Sequence, residues 1–578
     1  MTIPDAPLTG PTTASPETPP QGPPSEGKRA TGTRRAPASK ATSWRPWWGY
    51  NREDLLHLRA LERTGGTVTG PGAPAERDPF GKLRAEALAT LRETALSRTE
   101  PSEVRRQALH ALGRAGGEAD LPALLAILGD SSENSRVREA AVLAVALLPH
   151  VEDPEARAAI RQKLESCMLA PEVPQQLREF GIVAAGLRAR DDEKIGLLLA
   201  MRCKGGLAGW NEGAALALAL GLSGNALLLP EMLVAAKQGE LCGTELHDAG
   251  RSHGILALGR ADAPGALPAL VSILQSRRVG ALSRRSAALS VGRILRQGGA
   301  DAEEAKPAVR ELAKHLEDGH DPILRGYCAV ALGAARPPRE LPKLEEALLN
   351  RSDAILRGYA ALALGLAARQ LGDAEAKPVR ARLAAELGRT KEWEQASALM
   401  TALGLAGASE VVPELLACIG EKGLPEEHRA AAAEALGLIV VQSPPVVQAL
   451  KEALLKGDAH LAPAAAESLA MLGDSMSPVH VLGQLDAGAN DHLHTHLARA
   501  VGFGGHPSAT PLLLKILRDE TADESARADA AMALGILGNL RESDGLAGLA
   551  GWFNLDSTTM VTRELMIASC GCRRATVP

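Results

Sequence analysis

Two stretches of the chain are near copies of each other and decide the fold: residues 323–333 read ILRGYCAVALG, and residues 355–365 read ILRGYAALALG. The second copy follows RELPKLEEALLN (339–350), which has the pattern of an amphipathic helix, and the turn residues RSD (351–353). Each unit therefore contains two helices. The small residues of the second helix allow it to pack closely on its neighbours.

The same unit recurs along most of the chain. A glycine closes it at thirteen places, about 35 residues apart, and a fourteenth unit, AAVLAVALLPH (140–150), lacks this glycine. The closing glycines, which we call anchors, are Gly113, Gly186, Gly221, Gly259, Gly292, Gly333, Gly365, Gly404, Gly437, Gly473, Gly502, Gly535 and Gly571. A period of this length indicates a solenoid in which each unit contacts only its neighbours.

These repeats predict an all-α fold, an elongated right-handed α–α superhelix of about 14 helix pairs. Long and short units alternate, and the extra residues fall between units. RQGGADAEEAKP (296–307) and RQLGDAEAKP (369–378) are near copies that end in proline. We expect them to be long loops along one edge of the solenoid.

Composition excludes several classes of protein. The 578 residues include 64 Lys and Arg against 69 Asp and Glu, a formal charge of −5, whereas a nucleic-acid binder needs a dense basic surface. No stretch reaches the roughly 18 apolar residues that cross a bilayer. Apolar residues make up 45% of the chain but aromatics only 2%, which favours thin layers of Ala- and Leu-rich helices. Seven scattered cysteines do not indicate a disulfide framework.

The N-terminal part divides into two segments before the repeats. Residues 1–43 are rich in Pro, Ser and Thr, and we expect a disordered arm. Residues 44–79 contain an aromatic cluster, then a short helix and a loop. We expect the cluster to cover the open end of the solenoid at 80–578, with an aromatic docking site as the alternative. The cluster consists of Trp44, Trp47, Trp48 and Tyr50.

The repeat resembles the HEAT repeat, in particular the short class found in PBS-lyase HEAT-like proteins. The hallmark of that class is an arginine that opens the second helix, followed by Ala-x-Ala-Leu-Gly. Here an arginine stands eight residues before nine anchors, at Arg105, Arg178, Arg251, Arg284, Arg325, Arg357, Arg429, Arg527 and Arg563. The start of the aromatic cluster also resembles that of large HEAT-repeat proteins of planctomycete-type bacteria.

The resemblance implies a structural role for these arginines, in which each bonds an acid-bearing turn of its own or an adjacent unit. Asp321, Asp353 and Asp523 each stand four residues before such an arginine. An acid at that point also interacts favourably with the positive end of the helix dipole. The alternative is a basic ladder that binds a ligand.

The position six residues before the anchor varies more than its neighbours, so we expect it to be exposed. The resemblance implies that second helices line the concave side. Four consecutive units then place His253, Ser286, Tyr327 and Tyr359 along one groove. Tyr and His suit partner binding because each joins an apolar body to a polar tip. The alternative is that these side chains are half-buried between helices.

Metal and enzyme sites find little support in the sequence. His492 and His496 share one helix face with His494 nearby, but a site needs three or four ligands. Cys570 and Cys572 form one C-x-C without a second pair. No His is followed by Glu, the dipeptide with which deoxyhypusine hydroxylases of this repeat class bind iron. We therefore expect no catalytic residues, no metal and no cofactor.

The sequence thus predicts a non-enzymatic scaffold, a monomer that binds protein partners along an extended concave surface. It predicts no binding to nucleic acid and no membrane span. The alternative is a chaperone or lyase resembling phycobilin lyases. Because residues 1–43 lack the apolar core of a secretory signal, we expect a cytoplasmic location, or export if the true start lies upstream.

Overall fold

The computed structural model describes most of the repeat region and one helix before it. The described residues are 44–56, 79–149, 151–190, 192–224, 229–261, 265–298, 302–336, 338–457, 460–474, 476–484, 497–498, 501–502, 506–538 and 559–564. The predicted arm at 1–43 lies outside them, as do His492, His494, His496, Cys570 and Cys572. One compact unit extends from Lys40 to Pro578.

Pairs of helices follow one another along the described chain. The first helices of repeats 1 to 13 are Pro79–Leu96, Leu121–Gly129, Pro154–Leu169, Glu193–Lys204, Leu229–Gln238, Ala266–Gln275, Ala302–Asp318, Leu341–Leu349, Asp373–Leu387, Val412–Gly420, Pro444–Lys456, Met476–Gln484 and Thr510–Arg518. Three single turns of 3-10 helix, Glu118–Asp120, Ser409–Val411 and Pro507–Ala509, precede first helices. The predicted all-α superhelix of helix pairs is confirmed.

The second helices follow their partners after short turns. Those of repeats 1 to 11 and 13 are Ser102–Ala115, Ser135–Leu147, Gln175–Arg188, Trp210–Ser223, Asp248–Ala261, Ala281–Gln297, Pro322–Ala334, Ala354–Ala368, Trp393–Leu405, Glu426–Ile439, Leu461–Met471 and Glu524–Gly538. Of the twelfth, only 497–498 and 501–502 are described. Repeat 5 also holds a short antiparallel hairpin, Glu240–Leu241 with Thr244–Glu245.

Each second helix packs on the next through the anchor glycine. A Cβ on Gly113 would lie 2.7 Å from the Cα of Ala144, the small residue that faces it from repeat 2. The same arrangement of an anchor against a small residue recurs around the structure. Because a Cβ cannot fit at these distances, glycine lets consecutive second helices touch backbone to backbone.

The two ends of the solenoid meet, so the expectation of an elongated molecule is wrong. The second helix of repeat 13 packs on the second helix of repeat 1 as closely as consecutive repeats pack on each other. A Cβ on Gly535 would lie 2.5 Å from the Cα of Ala111, which is the contact found between neighbours. Second helices of consecutive repeats touch directly, whereas their first helices make far less contact with each other. Each repeat is therefore wider on the side of its first helix than on the side of its second helix. Thirteen such repeats close into a ring.

Two local expectations about the repeats need correction. The proline-ending stretches are not loops throughout, since first helices begin at Ala302 and Asp373 and contain Pro307 and Pro378. The anchor of repeat 11 is not Gly473, which follows the helix at φ +85°. An anchor contacts the residue that stands two positions before the next anchor, as Gly186 contacts Ala219 before Gly221. Gly437 of repeat 10 contacts Ser468, which stands five positions before Gly473.

The N-terminal aromatic cluster also differs from its prediction. Trp44 already begins the helix Trp44–Leu56, so the aromatic residues belong to that helix rather than preceding it.

One covalent cross-link joins two repeats and was not predicted. Cys203 near the end of the first helix of repeat 4 is disulfide-bonded to Cys242 in the hairpin of repeat 5. Among the other described cysteines, Cys167 and Cys328 are buried and Cys418 is half-buried. No helix in the described ranges is long and apolar enough to cross a membrane.

Candidate functional site

The candidate site is the face of the second helices that points away from the first helices, which we call the inner face. Helix geometry places on it the positions three, six, seven and ten residues before each anchor. Two segments from outside the ring of repeats lie on this face, the helix Trp44–Leu56 and residues 559–564. Their contacts indicate what the inner face can bind.

The predicted groove residues lie on the inner face but are buried. His253, Ser286, Tyr327 and Tyr359 have exposed fractions of 1%, 0%, 2% and 2%, so the expectation of exposure is wrong. The reason is the close approach of neighbouring second helices, which directs a large side chain at this position over the adjacent helix. Burial also lowers the pKa of His253, whose Nδ1 lies 2.9 Å from the Ala249 carbonyl oxygen.

The two tyrosines form part of an aromatic row. The rings of Tyr327 and Tyr359 meet edge to face, with centroids 5.8 Å apart and an interplanar angle of 87°. Tyr359 covers Gly326 of the preceding repeat so closely that no Cβ would fit there. Repeat 9 has Ala398 at the equivalent position, and Trp44 covers Gly358 instead, 2.6 Å from where a Cβ would lie. Trp44 thus supplies the ring that repeat 9 lacks.

The helix Trp44–Leu56 is attached chiefly by buried indole rings. Trp44, Trp47 and Trp48 have exposed fractions of 5%, 0% and 4%. The prediction that they cover an open end is wrong, because the ring has no open end at that point and the three side chains are buried against the inner face. The Tyr50 side chain lies outside the described part of the structure.

Acidic side chains of successive repeats hold the polar groups of this helix. Trp48 Nε1 donates to Oε1 of Glu434 at 2.8 Å. Arg52 donates to Glu434 at 3.3 Å and to Glu467 at 2.7 Å. Glu434 and Glu467 occupy the same position in repeats 10 and 11, facing the helix from both.

Arg45 holds the other end of the helix. Its Nε lies 3.2 Å from Oε2 of Glu394, and its guanidinium carbon lies 5.5 Å from the Trp44 ring centroid and 5.3 Å from that of Trp393. Helix Trp44–Leu56 therefore contacts repeats 8 to 11 through rings and paired charges. The sequence signal for this site was the pair of glutamates at one inner-face position, which we did not single out.

The C-terminal segment 559–564 binds the inner face of repeats 1 and 2. Glu564 accepts two hydrogen bonds from Arg106, at 2.5 and 2.6 Å, and lies 2.8 Å from Nε2 of His110. Burial alone would raise the pKa of Glu564, but the hydrogen bond from His110 and the charges of His110 and Arg106 lower it to about 2. Met560 contacts Arg136 of repeat 2. Residues from this predicted fourteenth unit therefore lie against the ring of repeats.

The arginine series lies at the junctions between repeats. In Arg105, Arg251, Arg325, Arg357, Arg429 and Arg527, Nε donates to a carbonyl at the end of the first helix of the same repeat. Arg178 uses Nη2 for three carbonyls of its own turn. These bonds satisfy carbonyl groups that a helix end leaves without intrahelical partners.

Some guanidinium heads reach an acid of the adjacent repeat, whereas those of Arg178 and Arg251 bond carbonyls of their own repeat. Arg105 bonds Glu133 and Arg325 bonds Asp353, each 28 residues later. Repeat 6 differs, since Arg285 rather than Arg284 bonds the acid of the next repeat, Asp321. Arg563 lies in the segment 559–564 and not at a junction of the ring.

Comparison with known proteins is consistent with the repeat. The family model described as HEAT repeats matches residues 80–146, which are repeats 1 and 2. No curated protein matches the sequence. A crystal structure of importin beta aligns with 84% of this chain and 72% of its own, at 14% identity and a TM-score of 0.36.

Two further solved structures are similar at the same low level. Yeast importin-beta (Kap95p) aligns with 84% of this chain and 78% of its own, at 15% identity and a TM-score of 0.40. Human deoxyhypusine hydroxylase aligns with 55% of this chain and 99% of its own, at 18% identity and a TM-score of 0.21. Similarity of this degree carries no information about a partner or a reaction. The chain is thus an α-solenoid of helix pairs, and its first two repeats match the HEAT-repeat family model.

Proposed function

We propose that this protein is a non-enzymatic scaffold that binds protein partners, and that its inner face binds helical segments carrying Trp and Arg. One observation carries the proposal. The helix Trp44–Leu56 lies on repeats 8 to 11, although it is separated from them by about 300 residues of chain and belongs to no repeat. It is thus held as a bound peptide would be.

The contacts of this helix have the character of a binding interface. Tryptophan and arginine are enriched among the residues that dominate binding energy, especially when buried in well-packed positions. Three buried indoles form the centre here, and Glu394, Glu434 and Glu467 pair with polar groups around them. This is the helix-in-groove mode of peptide recognition, in which an apolar face gives affinity and flanking charges give register.

The decisive experiment frees the inner face and measures peptide binding. In the full chain, Trp47→Ala with Arg52→Ala is expected to detach the chain's own helix. A fluorescent peptide of residues 44–56 should then bind, measured by fluorescence anisotropy. Adding Glu434→Lys and Glu467→Lys should abolish that binding, because both acceptors of Arg52 become repulsive.

A matched control keeps the same change in net charge away from the inner face. Glu346→Lys and Glu421→Lys alter two exposed acids, and the peptide should still bind. Partners captured from the host by the opened protein, identified by mass spectrometry, should be displaced by the peptide. The proposal fails if the opened chain does not bind the peptide, or if the control variant loses binding equally.

The lyase-like alternative stays a prediction, since no contact among the described residues favours it. Co-expression with a bilin distinguishes the two functions. A scaffold should be purified without visible absorbance, whereas a lyase-like protein should carry or transfer the chromophore.

A further inference from the structure

The hairpin of repeat 5 places a cysteine where the backbone disfavours it. Cys242 and Gly243 form the two-residue turn between the strands, with φ values of +53° and +75°. Such turns favour Asn, Asp or Gly, because a side chain at positive φ crowds the backbone. Cysteine is therefore less favourable at this position than an ordinary turn residue would be, which points to a role for its sulfur.

The Cys242 sulfur reaches a second sulfur in the preceding repeat. Its partner, Cys203, lies 39 residues earlier near the end of Glu193–Lys204, and the two Cα atoms are 5.2 Å apart. Cys203 is 8% exposed and Cys242 is half-buried, so the pair lies at the surface of the junction between repeats 4 and 5. The pair is therefore not enclosed in the core of either repeat.

A carboxylate completes the group. A side-chain oxygen of Glu231, at the start of Leu229–Gln238, and the sulfurs of Cys203 and Cys242 all lie within 4.8 Å of one another. Within the described residues, the Glu231 carboxylate makes no ion pair or hydrogen bond. A disulfide is uncharged and is not stabilised by an adjacent carboxylate, whereas a metal ion held by two thiolates can bind the carboxylate oxygen as a further ligand.

We propose that Cys203, Cys242 and Glu231 form a redox-controlled binding site for a divalent cation that prefers thiolate ligands, with Zn²⁺ as the expected ion. Two sulfurs and one carboxylate oxygen are three ligands of a tetrahedral zinc site, and water supplies the fourth. The oxidised pair cannot bind the ion, because a disulfide sulfur lacks the charge of a thiolate.

The conversion between the two forms balances as a thiol–disulfide exchange. A dithiol reductant transfers two electrons and two protons to the disulfide, and is itself oxidised to a disulfide. The two protein thiols then lose their protons when Zn²⁺ binds, so metal binding releases up to two protons and depends on pH. Either form links repeat 4 to repeat 5, one through a covalent bond and the other through the ion.

The test uses the full chain with Cys570→Ser and Cys572→Ser, so that the C-x-C pair contributes no metal binding. The protein is reduced, freed of metal and titrated with Co²⁺, whose thiolate charge-transfer absorption reports sulfur ligation, and then with Zn²⁺ in competition. The reduced protein should bind one equivalent, and the oxidised protein none. Cys203→Ser and Cys242→Ser should each abolish the absorption, whereas Cys328→Ser, which changes a buried cysteine elsewhere, should not.

Glu231→Gln separates ligation from folding, because it leaves both thiols and the disulfide in place. It should weaken Zn²⁺ binding by about tenfold or more. The proposal is overturned if reduced protein binds no more metal than the Cys203→Ser variant, if oxidised protein binds equally, or if Glu231→Gln binds as tightly as the parent.

Discussion

Arg527 in repeat 13 donates through Nη2 to Glu100, which precedes the second helix of repeat 1, at 2.7 Å. Arg105 makes the same kind of bond to Glu133 in repeat 2, at 2.6 Å. At that junction the acceptor comes from the next repeat along the chain, whereas Glu100 lies 427 positions before its arginine. The contact between repeats 13 and 1, which we call the seam, is therefore stabilised by the same kind of ion pair as an internal junction.

The Arg527–Glu100 pair should contribute measurably to closure of the ring. Both side chains are largely buried, with exposed fractions of 6% and 17%. Arg527→Met and Glu100→Gln should each lower the free energy of unfolding by about 2 kcal/mol, the range for hydrogen bonds to charged groups. Because the residues contact each other, the double variant should lose less than the sum of the single losses. Strict additivity in chemical denaturation would show that the two side chains do not interact.

A larger residue at Gly535 should open the ring. Its Cβ would meet the backbone of Ala111, so Gly535→Leu forces repeats 1 and 13 apart, with an overpacking cost of about 1–3 kcal/mol. Small-angle X-ray scattering should show an increased radius of gyration. Gly365→Leu makes an equivalent clash with Ala402 inside the chain, and it should reduce stability without the same expansion.

Gly420→Leu is the matched control for the change of residue itself, because no atom lies within 4 Å of a Cβ built at Gly420. Its scattering curve should equal that of the parent. If Gly535→Leu and Gly420→Leu give the same radius of gyration, the seam is not closed in solution.

The repeat could be predicted from the sequence because its information is local. Arginine, Ala-Leu-Gly and the two-helix pattern recur within about 35 residues, and each sets a contact with the next repeat. Ring closure depends on the sum of small rotations over thirteen repeats, which no single unit displays. Gly535 and Ala111 carry the ordinary signature of neighbours, and nothing in the pattern indicates that they are neighbours of each other.

The inner face was harder to predict for a related reason. Variability six residues before the anchor predicts exposure, yet a variable position can also be buried against the adjacent second helix, as Tyr359 is against Gly326. Trp44 covers Gly358 across more than 300 residues, and only three-dimensional closure brings them together. The acidic pair at Glu434 and Glu467 was visible in the sequence but had no evident partner there.

Tyr359 should behave as a core residue rather than as part of an exposed groove. Its ring is buried and packs against Tyr327 and Gly326. Tyr359→Ala should lower the free energy of unfolding by about 3 kcal/mol, as large-to-small changes at buried aromatics do. Tyr359→Phe keeps the ring and should cost about 1 kcal/mol or less. Equal thermal midpoints for the parent and Tyr359→Ala would contradict the burial of this ring and support the predicted exposed groove.

Glu139 lies on the inner face of repeat 2, close to the docked C-terminal segment. Burial raises its pKa to about 7, although the positive charges of Arg136 and Arg106 oppose the shift. The negative charge of Glu564 raises it further. The folded protein therefore holds a proton on Glu139 under conditions in which an unfolded chain has lost it.

This retained proton should make stability fall as the pH rises. Between the ordinary pKa of 4.5 and about 7, Glu139 binds more protons in the folded state than in the unfolded state, so its contribution to the free energy of unfolding should decrease by up to about 3 kcal/mol. Glu564, with its lowered pKa, is already ionised in the folded protein, and it adds only a small slope of opposite sign near the ordinary pKa of 4.5. Glu139→Gln mimics the protonated carboxyl and should remove most of the decrease between pH 5 and 7.5 in urea denaturation, whereas Glu165→Gln, at an exposed position, should retain it. Parallel curves for the parent and Glu139→Gln would show that Glu139 is ionised in the folded protein across this interval.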